Sequence, residues 1–183
     1  RLQGLAGVAF RDEGGAVVTG PPRAQVASLD SLPWPDREAI DHEPYLRAWR
    51  QRHGEESVNL ITARGCAYKC DWCSHAVFGH THRRRSPANV ADEVAWIRDR
   101  YAPEQVWYAD DVFTISHRWL FEYAGELRRR AIRFPFETIS RADRLGSEEV
   151  LATLARLGCR RNWIGTENGL NRIAGGKVTV LGR

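Results

Sequence analysis

From residue 57 onward the apolar positions alternate between short runs and helix-spaced stripes. Residues 57–62 read as a short strand that runs into a polar loop at 64–85. Ser86-Pro87 then opens a helix, with serine as N-cap and proline at the first helical position. Val90, Val94, Ile97 and Tyr101 share one face of it. Residues 105–109 predict a second strand, ending at Asp110-Asp111. Ser116 caps a second helix whose stripe is Leu120, Ala124, Leu127 and Ala131. A third strand is expected at 134–139. Ser147-Glu148-Glu149 opens a third helix with Val150, Leu154 and Leu157 inward and Gly158 as its stop, and a fourth strand is expected at 161–165.

Strands alternating with helices in this way imply parallel α/β structure. Right-handed crossovers repeated in one direction curl toward a barrel, so a (β/α) barrel of parallel strands is expected, and the family resemblance given below implies a truncated, partial one. Chemistry in such folds gathers at the C-terminal strand ends. Those ends are the loop at 64–85, Asp110-Asp111, Ser140-Arg141-Ala142-Asp143 and Thr166-Glu167-Asn168, all polar or ligating. One shared site is expected there.

The chain upstream is different. Residues 1–20 read as a hairpin around the turn Asp12-Glu13-Gly14-Gly15. Pro21-Pro22 and Leu32-Pro33-Trp34-Pro35 then mark an extended linker, with a short helix at 45–51. The division expected is hairpin and linker at 1–56 and the α/β unit at 57–183.

Composition narrows the classes. Apolar residues at 43% provide for a packed core rather than disorder. No run approaches the ~20 apolar residues of a membrane helix, and no signal peptide is visible. The chain starts at Arg1 and holds no methionine, which reads as a piece of a longer protein. A net charge of +4 is too mild to indicate nucleic-acid binding. All basic residues except Lys69 and Lys177 are arginine, a bias that reads as compositional.

Cysteine carries the chemistry. Cys66, Cys70 and Cys73 are spaced C-x3-C-x2-C on one loop, and Cys159 stands far away. A disulfide framework scatters its cysteines, whereas crowded ones point to a metal in a reducing, cytoplasmic compartment. Structural zinc sites usually draw paired ligands from two loops. Three thiolates on one loop suit three corners of a cubane cluster, leaving a fourth iron open. Cys159 starts a strand at the opposite end of the fold and reads as a buried thiol.

With its context, the segment Arg64-Gly65-Cys66-Ala67-Tyr68-Lys69-Cys70-Asp71-Trp72-Cys73 resembles the radical S-adenosylmethionine superfamily. Asp110-Asp111-Val112-Phe113, Ser140-Arg141-Ala142-Asp143 and Ile164-Gly165-Thr166-Glu167-Asn168-Gly169 resemble its group with an upstream cobalamin-binding domain. The hairpin and Leu32-Pro33-Trp34-Pro35 resemble the tail leaving that domain. The resemblance implies a 4Fe–4S cluster on Cys66, Cys70 and Cys73, with S-adenosylmethionine on the open iron. It implies reductive cleavage to a 5′-deoxyadenosyl radical, and cobalamin bound by the parent protein. A small-molecule substrate would be methylated or ring-closed, with a ferredoxin or flavodoxin as electron donor.

By the same resemblance Asp110 or Asp111 meets the methionine amino group, with Asp110 favoured and the other member capping a turn. Arg141 pairs with the methionine carboxylate or with Asp143. Glu167 accepts from the ribose hydroxyls or solvates its loop. Trp72 packs beside the adenine or in the core. Apart from the resemblance, the run Arg83-Arg84-Arg85, with His75, His80 and His82, puts cations just before a helix N-terminus, and so meets an anionic partner, lies in a solvated loop or pairs with acids such as Asp92 and Glu93. After Gly169 the chain departs from the family pattern, because Gly175-Gly176 interrupts an expected helix. The rival reading is a zinc-stabilised nucleic-acid-binding module using His82 to Arg85 as a basic patch.

Overall fold

The computed structural model describes residues 2–70, 73 and 78–165. In chain order its elements are β1 (Ala9–Arg11), β2 (Val17–Thr19), α1 (Glu43–His53), β3 (Ser57–Leu60), β4 (Ala63–Arg64) and β5 (Arg83–Arg84). There follow α2 (Pro87–Tyr101), β6 (Gln105–Tyr108), α3 (His117–Arg129), β7 (Phe136–Ser140), α4 (Glu148–Leu157) and β8 (Cys159–Ile164). β3, β6, β7 and β8 form one sheet in that order, every pair parallel. This is the expected α/β alternation.

The helical stripes build the core. Val90, Val94 and Ile97 of α2, Leu120 and Leu127 of α3, and Val150, Leu154 and Leu157 of α4 pack with Val58, Leu60, Val106, Tyr108 and Phe136 of the sheet. Two residues outside the expected stripe of α3 also fill it, Trp119 and Tyr123. The Tyr123 hydroxyl is satisfied by that of Tyr108 at 2.5 Å. Ala131 does not belong to the stripe: α3 ends at Arg129, and Ala131 takes a left-handed φ of 51° that turns the chain toward β7. The caps are as anticipated, with Ser86 accepting from Asn89 N and Ser116 from Trp119 N.

The sheet is open. Among the described residues no strand closes β3 onto β8, so the expected barrel is present only as its parallel α/β sheet. An ion pair at 2.7 Å links Arg160 of β8 to Glu55, just before β3. On the face away from the core cluster, Asn59, Trp107, Glu137 and Arg161 lie in one register row, with Trp163 and Ile61 exposed beyond it.

The proline-rich linker is a strap laid along α2. Asp30 accepts from Ser86 N, Trp34 donates to Asn89 Oδ1, and Glu38 takes Arg100 and the Tyr101 hydroxyl. At its centre Arg37 and Arg85 both pair with Glu93, whose side chain is 1% exposed against 10% for each arginine. Polyproline geometry leaves backbone groups unpaired, and these side chains supply the attachment instead.

A buried carboxylate shared by two arginines is costly to remove. Glu93→Gln is expected to lower unfolding free energy by about 3–5 kcal/mol and to expose residues 25–38 to early proteolysis. Denaturant unfolding and limited proteolysis check this; a loss below about 1 kcal/mol would show that the strap is held by other contacts.

Candidate functional site

The cysteine loop is closed at its base by its own ends. β4 and β5 pair antiparallel, Ala63 with Arg84 and Arg64 with Arg83. Gly65 begins the loop with φ 80°, where a Cβ would collide with the Thr81 carbonyl oxygen. Only glycine accepts both that conformation and that approach.

Beneath this base lies Asp110, 2% exposed, at the end of β6. One carboxylate oxygen accepts from Thr62 N at 2.7 Å and Ala63 N at 3.1 Å. The other accepts from the Thr62 hydroxyl and from Arg84 Nη2 at 3.0 Å. Arg84 Nη1 also donates to the Phe113 carbonyl at 2.7 Å, and its guanidinium lies 3.6 Å from the Trp119 ring centroid. Burial pushes the Arg84 guanidinium down to about 10, with Asp110 opposing the shift.

Within the loop, Cys73 N donates to the Cys70 carbonyl at 3.1 Å, which keeps the second and third cysteines close. The Cys66 thiol is pushed up by burial, eased by a backbone hydrogen bond at Tyr68, and pushed further by the negative charge of Asp111, Cys70 and Cys73. Asp111, Cys70 and Cys73 are thus each within electrostatic reach of Cys66. Arg141, one residue past β7, places Nη1 3.9 Å from Cys70 Sγ. Its guanidinium stacks 3.9 Å from the Tyr68 ring centroid, and its Nε donates to Asp143 at 2.9 Å. Among the described residues no group of three His, Cys, Asp or Glu is gathered tightly enough to hold a metal. The donor chemistry nevertheless fits a thiolate-bound cluster: three free thiols on one closed loop, with a cation beside one of them.

Three strand ends thus meet, at the cysteine loop, Asp111 and Arg141. The two members of the aspartate pair differ in their surroundings. Asp110 is taken up by four protein donors, while Asp111 is exposed. Trp72 and Glu167 lie outside the described residues, as do His75, Thr166, Asn168 and the glycine-rich stretch after Gly169. Cys159 sits at the N-terminal end of β8, opposite the cysteine loop, and burial pushes its thiol up to about 12. Arg84 and Arg85 do not form a surface patch, since both are engaged inside the protein with Asp110 and Glu93. His82 is held below its ordinary value by burial, then by Arg84.

Sequence reasoning missed Thr62, Tyr68 and Arg144, and it did not name Asp110 as the acid that Arg84 pairs with. Tyr68 lay in view between two cysteines, and its size at a loop position was the available signal. Nothing in the run Arg83-Arg84-Arg85 distinguished the buried members from the half-exposed one.

No protein-family model matches the chain. Among curated proteins it is 24% identical over 173 residues to an uncharacterized methyltransferase of Pyrococcus horikoshii, covering 94% of this chain and 36% of that protein. It is 29% identical over 167 residues to the cytidylyl-2-hydroxyethylphosphonate methyltransferase of Streptomyces wedmorensis, covering 85% and 30%. It is 25% identical over 169 residues to the anaerobic magnesium-protoporphyrin IX monomethyl ester cyclase of Synechocystis, covering 91% and 32%. The chain therefore spans about a third of the length of these relatives.

Among solved structures it is similar to the cobalamin-dependent S-adenosylmethionine radical enzyme OxsB with aqua-cobalamin and S-adenosylmethionine bound. The TM-score is 0.72 at 20% identity, covering 94% of this chain and 25% of that one. It is also similar to the radical S-adenosylmethionine methyltransferase TsrM of Kitasatospora setae with cobalamin and a 4Fe–4S cluster bound. Here the TM-score is 0.68 at 22% identity, covering 92% and 34%. At such identities the likeness is one of fold.

The two aspartates should separate in a stability measurement. Asp110→Asn is expected to cost about 3–5 kcal/mol by leaving Arg84 uncompensated, and Asp111→Asn within about 0.5 kcal/mol. Equal losses in denaturant unfolding would contradict the assignment. His82 gives a pH signature. Below about pH 6.5 the unfolded chain takes up a proton that the folded chain resists, so stability falls with pH. Replacing His82 by Gln should flatten that fall as pH is lowered below about 6.5 in thermal melts; an unchanged slope would contradict it.

Proposed function

We propose that this chain is the front of the core of a radical S-adenosylmethionine enzyme of the cobalamin-binding group, the resemblance shared by its cysteine loop, its relatives and its fold. Cys66, Cys70 and Cys73 would hold a 4Fe–4S cluster that binds S-adenosylmethionine. When bound and reduced, that cluster supplies the electron that cleaves the sulfonium C–S bond, so the hard chemistry is the cofactor's.

The protein's own residues hold and orient. Asp111 rather than Asp110 offers its carboxylate to the methionine amino group, because its oxygens are not committed to the strand ends. A charge-assisted hydrogen bond of that type is short and directional. Arg141 faces the methionine carboxylate. Trp72 packs beside the adenine, and Glu167 accepts from the ribose hydroxyls. Asp110, Thr62 and Arg84 keep the base of the loop closed.

Residues 1–56 are the tail of a cobalamin-binding domain, and 57–183 the first part of the radical core. The whole protein methylates or ring-closes a small molecule, drawing electrons from a ferredoxin or flavodoxin in the cytoplasm. The observation that carries this proposal is the meeting of the three-cysteine loop with Asp111 and Arg141 at one end of a parallel sheet. The zinc-module reading is set aside: its basic patch has two of its arginines inside the protein, and no relative named above is such a module.

Anaerobic reconstitution with iron and sulfide tests the proposal. The expected product is brown, holds iron and sulfide in equal amounts and cleaves S-adenosylmethionine under reduction. The Cys70→Ala variant should lose cluster and cleavage together. A colourless protein with one bound zinc, or a Cys70→Ala variant that still cleaves, would refute it.

A further inference from the structure

Tyr68 sits between Cys66 and Cys70, and two arginines from the segment after β7 converge on it. Arg141 lies over its ring at 3.9 Å, and Arg144 Nε donates to its hydroxyl at 2.6 Å. The turn that carries Arg144 is anchored in its own right, because the Arg144 carbonyl meets His117 Nε2 of α3 at 3.0 Å. Arg141 is thereby fixed on two sides, by the Tyr68 face and by Asp143. That leaves its Nη1 beside Cys70 Sγ and its Nη2 uncommitted among the described residues.

We infer that Tyr68 and Arg144 are positioning residues that hold the Arg141 guanidinium against the Cys70 sulfur, where it raises the reduction potential of the cluster. This rests on the cluster reading above. The physical grounds are separate from it. A reduced cluster carries one more negative charge, and hydrogen bonds and positive charge at its sulfurs favour that state. Arg141 supplies both at Cys70, and a guanidinium carries enough donors to do so while also holding Asp143 and a ligand carboxylate. A guanidinium on an aromatic face is held by the ring quadrupole, and the ring is held in turn by Arg144. Neither Tyr68 nor Arg144 needs to touch the cluster to act on it.

The test is a redox titration, followed by electron paramagnetic resonance, of the anaerobically reconstituted protein and of Tyr68→Leu, Tyr68→Phe and Arg144→Gln. Iron and sulfide content is measured on the same samples. The expected result is intact cluster content with potentials shifted negative. Tyr68→Leu should move most, and Tyr68→Phe, which keeps the ring face, should move less. At the wild-type midpoint, Tyr68→Leu should show a reduced-to-oxidised ratio about tenfold lower, corresponding to about 59 mV for one electron.

Full cluster content with unshifted potentials in all three variants would overturn the inference and leave the cluster reading standing. Wild-type protein that assembles no cluster would overturn both. If Tyr68→Leu fails to assemble a cluster, the potential of Arg144→Gln decides, since that change lies one residue further from the cysteines.

Discussion

A single buried carboxylate braces the paired ends of the cysteine loop. Asp110 receives two backbone N–H groups and a hydroxyl from the stretch after β3 and a guanidinium from β5, on a side chain with no exposure. A charge at that depth is tolerable only when its oxygens are fully bonded. The arrangement joins the entry of the loop, its exit and the end of the second sheet strand in one knot. Trp119 of α3 covers the guanidinium and donates its indole N–H to the Arg85 carbonyl, so the third helix belongs to the knot as well.

The geometry of the site follows from that closure. The pairing of its ends, Ala63 with Arg84 and Arg64 with Arg83, fixes the span that the loop between them has to close. Its thiols stand at the C-terminal edge of the sheet, where Asp111 and Arg141 arrive from the next two strands. The strap reinforces the same region from outside. Gln25 bonds the Phe78 carbonyl and Thr81, and the Val26 carbonyl takes Arg83, so the segment entering the fold also grips the segment leaving the loop. Position in the upstream chain and position of the cysteine loop are mechanically linked.

Much of this was legible in the chain, for identifiable reasons. The stripe Val90, Val94, Ile97 and the capping pair Ser86-Pro87 are local signals, and α2 follows them. The C-x3-C-x2-C spacing marked the loop because three crowded cysteines are the signal of a metal-binding segment. What stayed hidden depends on contacts distant in sequence. The choice between Asp110 and Asp111 is made by Thr62, Ala63 and Arg84, far along the chain, and strand alternation alone cannot identify those partners. Glu93 was legible as an acid that the run Arg83-Arg84-Arg85 could pair with, and Arg85 does pair with it; its second partner, Arg37, is brought to it only by the strap. Ala131 fitted the helical period but lies past the point where the backbone turns left-handed.

The central claim is that the loop held by Asp110 presents three thiolates to a cluster with one iron free for S-adenosylmethionine. The most direct measurement is the electron paramagnetic resonance spectrum of the reduced, reconstituted protein with and without added S-adenosylmethionine. A change in the signal on addition, lost when Asp111 is replaced by Asn, is the predicted result. Identical spectra with and without S-adenosylmethionine, at full cluster content, would contradict it.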